Sequence, residues 1–284
     1  MTTENFIPQV WSAKLLENWN DKHVYVACLN RDYEGEVRDV GDTVKINSIG
    51  RITIAAYTKN TNHNAAEELD DSQTFIQITQ ADYYNFGIDS IDKAQQKPKL
   101  MSAAMEEASW GLADTADSWV ADLLEAGVQT ANQLTAATSV GTGASDDDAY
   151  EILVDLGTKL TENNAPKTGR WVVVPPWFHG VLLKDPRFVS FGTGANLDVL
   201  KNGSIGRAAG FEIKESNNVP VGSSSDYTII AGVSAAATFA DQIKEPQAYK
   251  PELRFGDAMK GLHVYGAKVT RPYGLASIVA TAAA

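Results

Sequence analysis

Trp11, Leu15 and Trp19 recur every fourth residue behind Pro8, with Leu16 alongside, and this spacing predicts an amphipathic helix. The stripe suits either a helix docked on its own core or an arm packed on a neighbouring subunit. Two tryptophans so near a terminus favour the arm, because free termini rarely have a core to cover and aromatics are enriched at interfaces. The periodicity then drops to two. Residues 43–46 (TVKI) and 51–54 (RITI) alternate on either side of the turn residues 47–50, and 74–79 (TFIQIT) answers them. Between the arms lies a polar tip, residues 59–72, with Asn60, Asn62, Asn64, Glu67, Glu68, Asp70 and Asp71 and almost nothing to bury. The pattern is a long β hairpin with little core of its own. Isolated two-stranded hairpins are marginal in water, so this one must lie on its own body or on a partner.

A long helix follows. From Pro98, the residues Met101, Ala104, Met105, Ala108, Leu112, Ala116, Trp119 and Leu123 keep three- and four-residue spacing until Gly127 supplies a stop. At about 1.5 Å per residue it would extend roughly 40 Å, a strut across a flat subunit more readily than one wall of a compact globule. Gly111 inside it costs up to about 1 kcal/mol relative to Ala, which points to a close packing contact there.

Beyond a turn-rich span, 135–144, the pattern becomes mixed. Ser145 with Asp148 resembles a capping box, and the acidic run 146–148 suits a helix N-terminus. Ile152, Leu153, Leu156 and Leu160 form that helix's buried stripe, and Asn163, Asn164 and Pro166 end it. Residues 171–174 (WVVV) read as a buried strand closed by Pro175 and Pro176. Further strands are expected at 211–216, 227–231, 263–269 and 275–279.

Composition narrows the class. The chain has 284 residues, 44% of them apolar, enough for one large domain or two smaller ones and too apolar for disorder. Its formal charge of −12 argues against wrapping nucleic acid, which demands clustered Lys and Arg. No apolar run approaches a membrane span, and residues 1–5 carry no basic or apolar signal region. Cys28 is the lone cysteine, which suits synthesis in a reducing cytoplasm.

The candidate chemistry is thin. His23, His63, His179 and His263 are scattered without metal-ligand spacing, and His263 reads as a partly exposed structural histidine at a strand start. Cys28 reads as an inert buried thiol. Asp146–Asp148 is explained by capping, without the glycine and closing Glu of a calcium loop. Gly203, Gly206 and Gly210, in the block NGSIGRAAGFEIKESNNVP (202–220), invite a nucleotide reading, but a strand follows them where a phosphate loop needs a helix. No catalytic constellation, metal site or cofactor site emerges.

That same block resembles one in the major capsid proteins of tailed bacteriophages, and the resemblance extends along most of the chain in matching order. FIPQVWSAKLLENWNDKHV resembles their N-terminal arm. VGDTVKINSIGRITI and FIQITQADYYNFGIDSIDKAQ resemble their extended loop, and SWGLADTADSWVADLL their spine helix. GRWVVVPPWFHGVLLKDPRF and GRAAGFEIKESNNVP resemble parts of the axial domain, and AKVTRPYGLASIVA the closing strands of the peripheral domain.

The resemblance implies an α+β subunit of the Hong Kong 97-type capsid fold. Its divisions would be an N-arm (1–35), an extended loop (36–90), a peripheral domain with the spine helix (91–140), an axial domain (141–235) and closing peripheral strands (236–284). Hexamers and pentamers would form an icosahedral shell around double-stranded DNA bound without sequence-specific contacts. Subunit contacts are expected at Trp11, Leu15, Trp19, Ile52, Ile54, Phe75, Ile76 and Ile78. Implied partners are copies of the chain, a portal, a separate scaffolding protein and decoration proteins, with no membrane and no cofactor; the implied location is the virion, after synthesis in the bacterial host's cytoplasm. The chain enters the arm at once, so scaffolding comes from a separate protein or the sequence is a matured product. Lys59 lies near the hairpin tip, but no Asn partner for an isopeptide cross-link is identifiable. An encapsulin-type nanocompartment or a tail-tube protein is the structural alternative, and a nucleotide-binding α/β enzyme the remote one.

Overall fold

The computed structural model describes residues 23–32, 43–49, 56, 59, 71–89, 99–143, 146–185, 206–222, 225–252 and 256–283. Among these, one helix organises everything else. α1 (Lys99–Gly127) runs 29 residues, from just after Pro98 to the glycine stop. Its first half, through Met105, Leu112 and Ala113, packs on Tyr84 and Met259 of one sheet. Its second half, through Ala116, Val120, Ala121 and Leu124, packs on Trp171, Val173, Ile230 and Leu275 of another. The strut expected from periodicity is therefore a beam under two sheets. Among the described residues, a β-carbon at Gly111 would meet nothing within 4 Å, so none of them makes the close contact expected there.

The smaller sheet has three antiparallel strands in the order β10 (Ala237–Tyr249), β11 (Gly256–Val269) and β3 (Gln80–Asp89). The larger is mixed, with seven strands in the order β5 (Asp147–Asp148), β4 (Ala137–Gly141), β12 (Leu275–Ala282), β9 (Tyr227–Val233), β6 (Arg170–Val174), β8 (Phe211–Glu215) and β7 (Arg207–Ala208). Every residue of β6 is buried because both its faces are covered. Val172 and Val174 face α2 (Ala149–Glu162) and α3 (Pro176–Lys184), while Trp171 and Val173 face α1 and the segment around Tyr25. Burial on both faces explains the unbroken apolar run.

A separate pair, β1 (Thr43–Ile49) and β2 (Asp71–Gln77), forms an antiparallel hairpin from Thr43↔Gln77 to Ile49↔Asp71. Asn47 and Ser48, expected in a turn, instead pair with Gln73 and Ser72. Asp71 and Ser72, expected in the polar tip, belong to β2.

Four other expectations change. β4 occupies the span read as turns. α2 starts at Ala149 with Asp148 as its N-cap, the carboxylate accepting a 2.8 Å bond from the Tyr150 N–H, so the cap lies three residues beyond Ser145. Pro175 follows the end of β6, while Pro176 opens α3, because its missing N–H and fixed φ suit the first helical turn. The stretch 236–284 does not stay together: β10 and β11 join the smaller sheet, while β12 inserts between β4 and β9 in the larger.

Candidate assembly surfaces

The hairpin is seated on the smaller sheet through its second strand. Ile76, and Ile78 just beyond β2, are buried against Ala240 and Val264, on the sheet face opposite α1. Gly266 on β11 makes room for this approach: a β-carbon there would lie 3.0 Å from the Cα of Ile78. Ile76 and Ile78, expected at subunit contacts, thus belong to the subunit's own core. Alternation showed that one hairpin face was apolar but could not show whose core it met. Phe75 points the other way and is 44% exposed. Trp11, Leu15, Trp19, Ile52 and Ile54 lie outside the described residues. Three exposed aromatics escaped the sequence reading: Tyr83, opposite Leu262 in the register, is 76% exposed, Trp110 on α1 is 50% exposed, and Tyr273 is 39% exposed.

The segment 23–32 is held at both ends. The Asp117 carboxylate on α1 is buried and accepts three successive backbone N–H bonds, from Val24 (3.2 Å), Tyr25 (2.9 Å) and Val26 (3.1 Å). The His23 ring lies 3.8 Å from the same carboxylate. A 3-10 turn, Val26–Cys28, then leads to Asn30, whose N–H donates to the Ala237 carbonyl and whose carbonyl accepts from the Phe239 N–H. Asp117 did carry a sequence signal: it stands among Ala113, Ala116, Val120 and Ala121, a charge on the buried stripe of an amphipathic helix.

Beyond Asn30, Arg31 reaches Asp241 at 3.5 Å, and Asp241 meets the His263 ring at 3.2 Å. Burial alone would raise the Asp241 carboxyl; the His263 hydrogen bond, with the charges of His263, Arg31 and His23, outweighs it and holds the group below the usual carboxylate range. His263 sits mid-strand and fully buried, correcting the expectation of a partly exposed ring at a strand start. Tyr265 stacks on it at 4.7 Å between centroids and donates to Asp82 at 2.7 Å. Burial and this bond both push the Tyr265 hydroxyl's pKa up. Cys28 is buried, and desolvation pushes its thiol up to about 12, which leaves almost no thiolate near neutrality.

The glycine bend is a turn between strands. Ala209 and Gly210, at φ of 50° and 86°, connect β7 to β8, with Gly206 at 64° just before β7. Left-handed backbone at these positions favours glycine. A strand follows the bend, as expected, so no helix N-terminus meets a phosphate there. Gly203 lies outside the described residues. Among the described residues, no three or more His, Cys, Asp or Glu side chains gather as a metal site, and no helix is long and apolar enough to cross a membrane.

A model of the family described as phage capsid protein matches residues 70–278, most of the chain. The chain belongs to the phage capsid protein family. It is a tailed-phage major capsid protein with the α+β Hong Kong 97-type fold, and its copies form the icosahedral shell of the virion. Among solved structures it is similar to one from Mycobacterium phage Che8, with a TM-score of 0.70, 29% identity and 90% of each chain covered. The capsid of Ralstonia phage GP4 gives 0.66 at 12% identity, covering 92% of this chain and 89% of that one. The capsid structure of the cyanophage P-SCSP1u gives 0.65 at 16% identity, covering 86% and 84%. At such identities the last two speak for the fold alone. No curated protein sequence matches.

Proposed function

We propose that this capsid subunit assembles as hexamers and pentamers around double-stranded DNA held without sequence-specific contacts, and that it acts as a structural protein rather than an enzyme. In this reading the smaller sheet with α1 is the peripheral domain, the larger sheet with α2 and α3 is the axial domain, and β1–β2 is the extended loop. Residues preceding His23 form an arm that reaches a neighbour through Trp11, Leu15 and Trp19, while Ile52, Ile54 and Phe75 meet a neighbour from the hairpin.

One observation carries it. Among the described residues, β1 and β2 form a sheet of two strands, anchored at one end by Ile76 while Phe75 stands exposed. A ribbon of this kind gains its remaining stabilisation from contact with another surface. The charge of −12 agrees with a container that repels its contents rather than clamping them. A portal, a separate scaffolding protein and decoration proteins complete the set of partners, and the chain is made in the host cytoplasm.

Limited proteolysis tests the reading. Cleavage within residues 59–70 in free subunits, and protection in assembled shells, is the expected result. Equal protection in both states would mean that the hairpin folds back on its own subunit. Negative-stain microscopy of purified protein should show closed shells or capsomers, against the rods of a tube protein.

A further inference from the structure

The Asp117 carboxylate is an unusual use of a buried charge. A helix face otherwise filled by Ala113, Ala116, Val120 and Leu124 gives up one position to an acid whose nearest cationic partner among the described residues is the His23 ring at 3.8 Å. Its lone pairs are spent instead on three consecutive backbone N–H groups, at 3.2, 2.9 and 3.1 Å. Three neighbouring N–H donors converging on one carboxylate fix the backbone dihedrals of Val24–Val26, and the charge makes each bond stronger than a neutral one. The next fixed point, Asn30, is pinned on both sides by β10. Between these points lies the turn Val26–Cys28, whose Val26 and Cys28 side chains enter the core shared by α1, β6 and β9. The segment from His23 to Asn30 is thus tied to the body at both ends.

We propose that Asp117 is a positioning residue for assembly: it sets the direction in which the chain preceding His23 leaves the subunit. This rests on the reading that Trp11, Leu15 and Trp19 meet a neighbouring copy. A contact made by a tethered arm benefits from an effective concentration that depends on where the tether points, so a freed root weakens the contact without removing any residue from it.

The test separates the anchor from the arm. Spin labels at Asn20→Cys and Glu107→Cys report the arm's exit relative to α1, and amide hydrogen exchange reports Val24–Val26. Asp117→Asn should broaden the label distance distribution, speed exchange at the three amides by at least about tenfold, and leave exchange in β6 and β9 unchanged. Its assembly yield should fall to that of a chain lacking residues 1–22. Leu156→Ala, with a comparable loss of melting temperature in a core away from α1, should assemble normally. Asp117→Glu keeps the charge while displacing it by one methylene, and should give an intermediate yield; it serves as the test if the amide variant does not fold. Freed amides with wild-type assembly, where the truncated chain fails to assemble, would overturn the anchor and keep the arm. Normal assembly of the truncated chain would overturn the arm itself, even if the label distances still broaden.

Discussion

Gly266 and Ile78 meet backbone to backbone. A β-carbon on Gly266 would stand 3.0 Å from the Ile78 Cα and closer still to the carbonyl oxygen of Gln77. Neither neighbour is a flexible side-chain end, so Gly266→Ala must lift the chain leaving β2 away from β11. The expected loss is about 1–3 kcal/mol, by urea unfolding, in keeping with overpacking of a close-packed contact.

Adjacent hairpin residues should behave oppositely. Ile76→Ala opens a cavity against Ala240 and Val264 and should cost about 2–5 kcal/mol. Phe75→Ser alters an exposed ring, and subunit stability should stay within about 0.5 kcal/mol. Light scattering should nonetheless show weaker assembly for the Phe75 variant. Full assembly would leave Phe75 a bystander.

The Asp241 carboxyl titrates below its ordinary range. A depressed carboxyl contributes stability above its unfolded pKa of about 3.9, and loses that contribution as pH falls through the lower folded value. Asp241→Asn should therefore destabilise the subunit at pH 7, with the difference from wild type narrowing below about pH 4. Urea midpoints at several pH values check this. A gap that stays constant down to pH 2 would mean the aspartate acts by shape alone.

Asp148→Ala removes the side-chain acceptor of the Tyr150 N–H and should cost about 0.5–2 kcal/mol. Ser145→Ala should change little, since the observed cap is Asp148. Thermal unfolding followed by circular dichroism distinguishes the two.

Elements whose pattern depends only on their own neighbours were legible in the sequence. α1 keeps one stripe over eight turns, β6 is apolar on both faces, and the bend at Ala209 and Gly210 needs residues that tolerate positive φ. What escaped depends on distant residues. β10 carries polar residues and a register shift between Lys244 and Gln247, around Pro246, so its alternation fades; it is a strand because β11 pairs along its length. β4 is five residues of ATSVG that make sense only beside β12. α3 hides behind two prolines, of which one ends a strand and the other begins a helix. The assembly surfaces were partly legible for the same reason. An apolar face at Ile76 and Ile78 was visible, but its partner, β11, lies almost two hundred residues further on.

β12 fills the gap between β4 and β9, near the middle of the larger sheet. A nascent chain has already released β4, α2, β6 and β9 before residues 275–282 are made. At roughly 5–20 residues per second, β4 waits on the order of ten seconds for its neighbour. Through that interval the larger sheet has an open slot, and Leu275, Ala276 and Ile278 are missing from both of its faces. A subunit still being translated therefore cannot present its finished surface to another. The larger sheet is closed only once β12 has taken its place between β4 and β9.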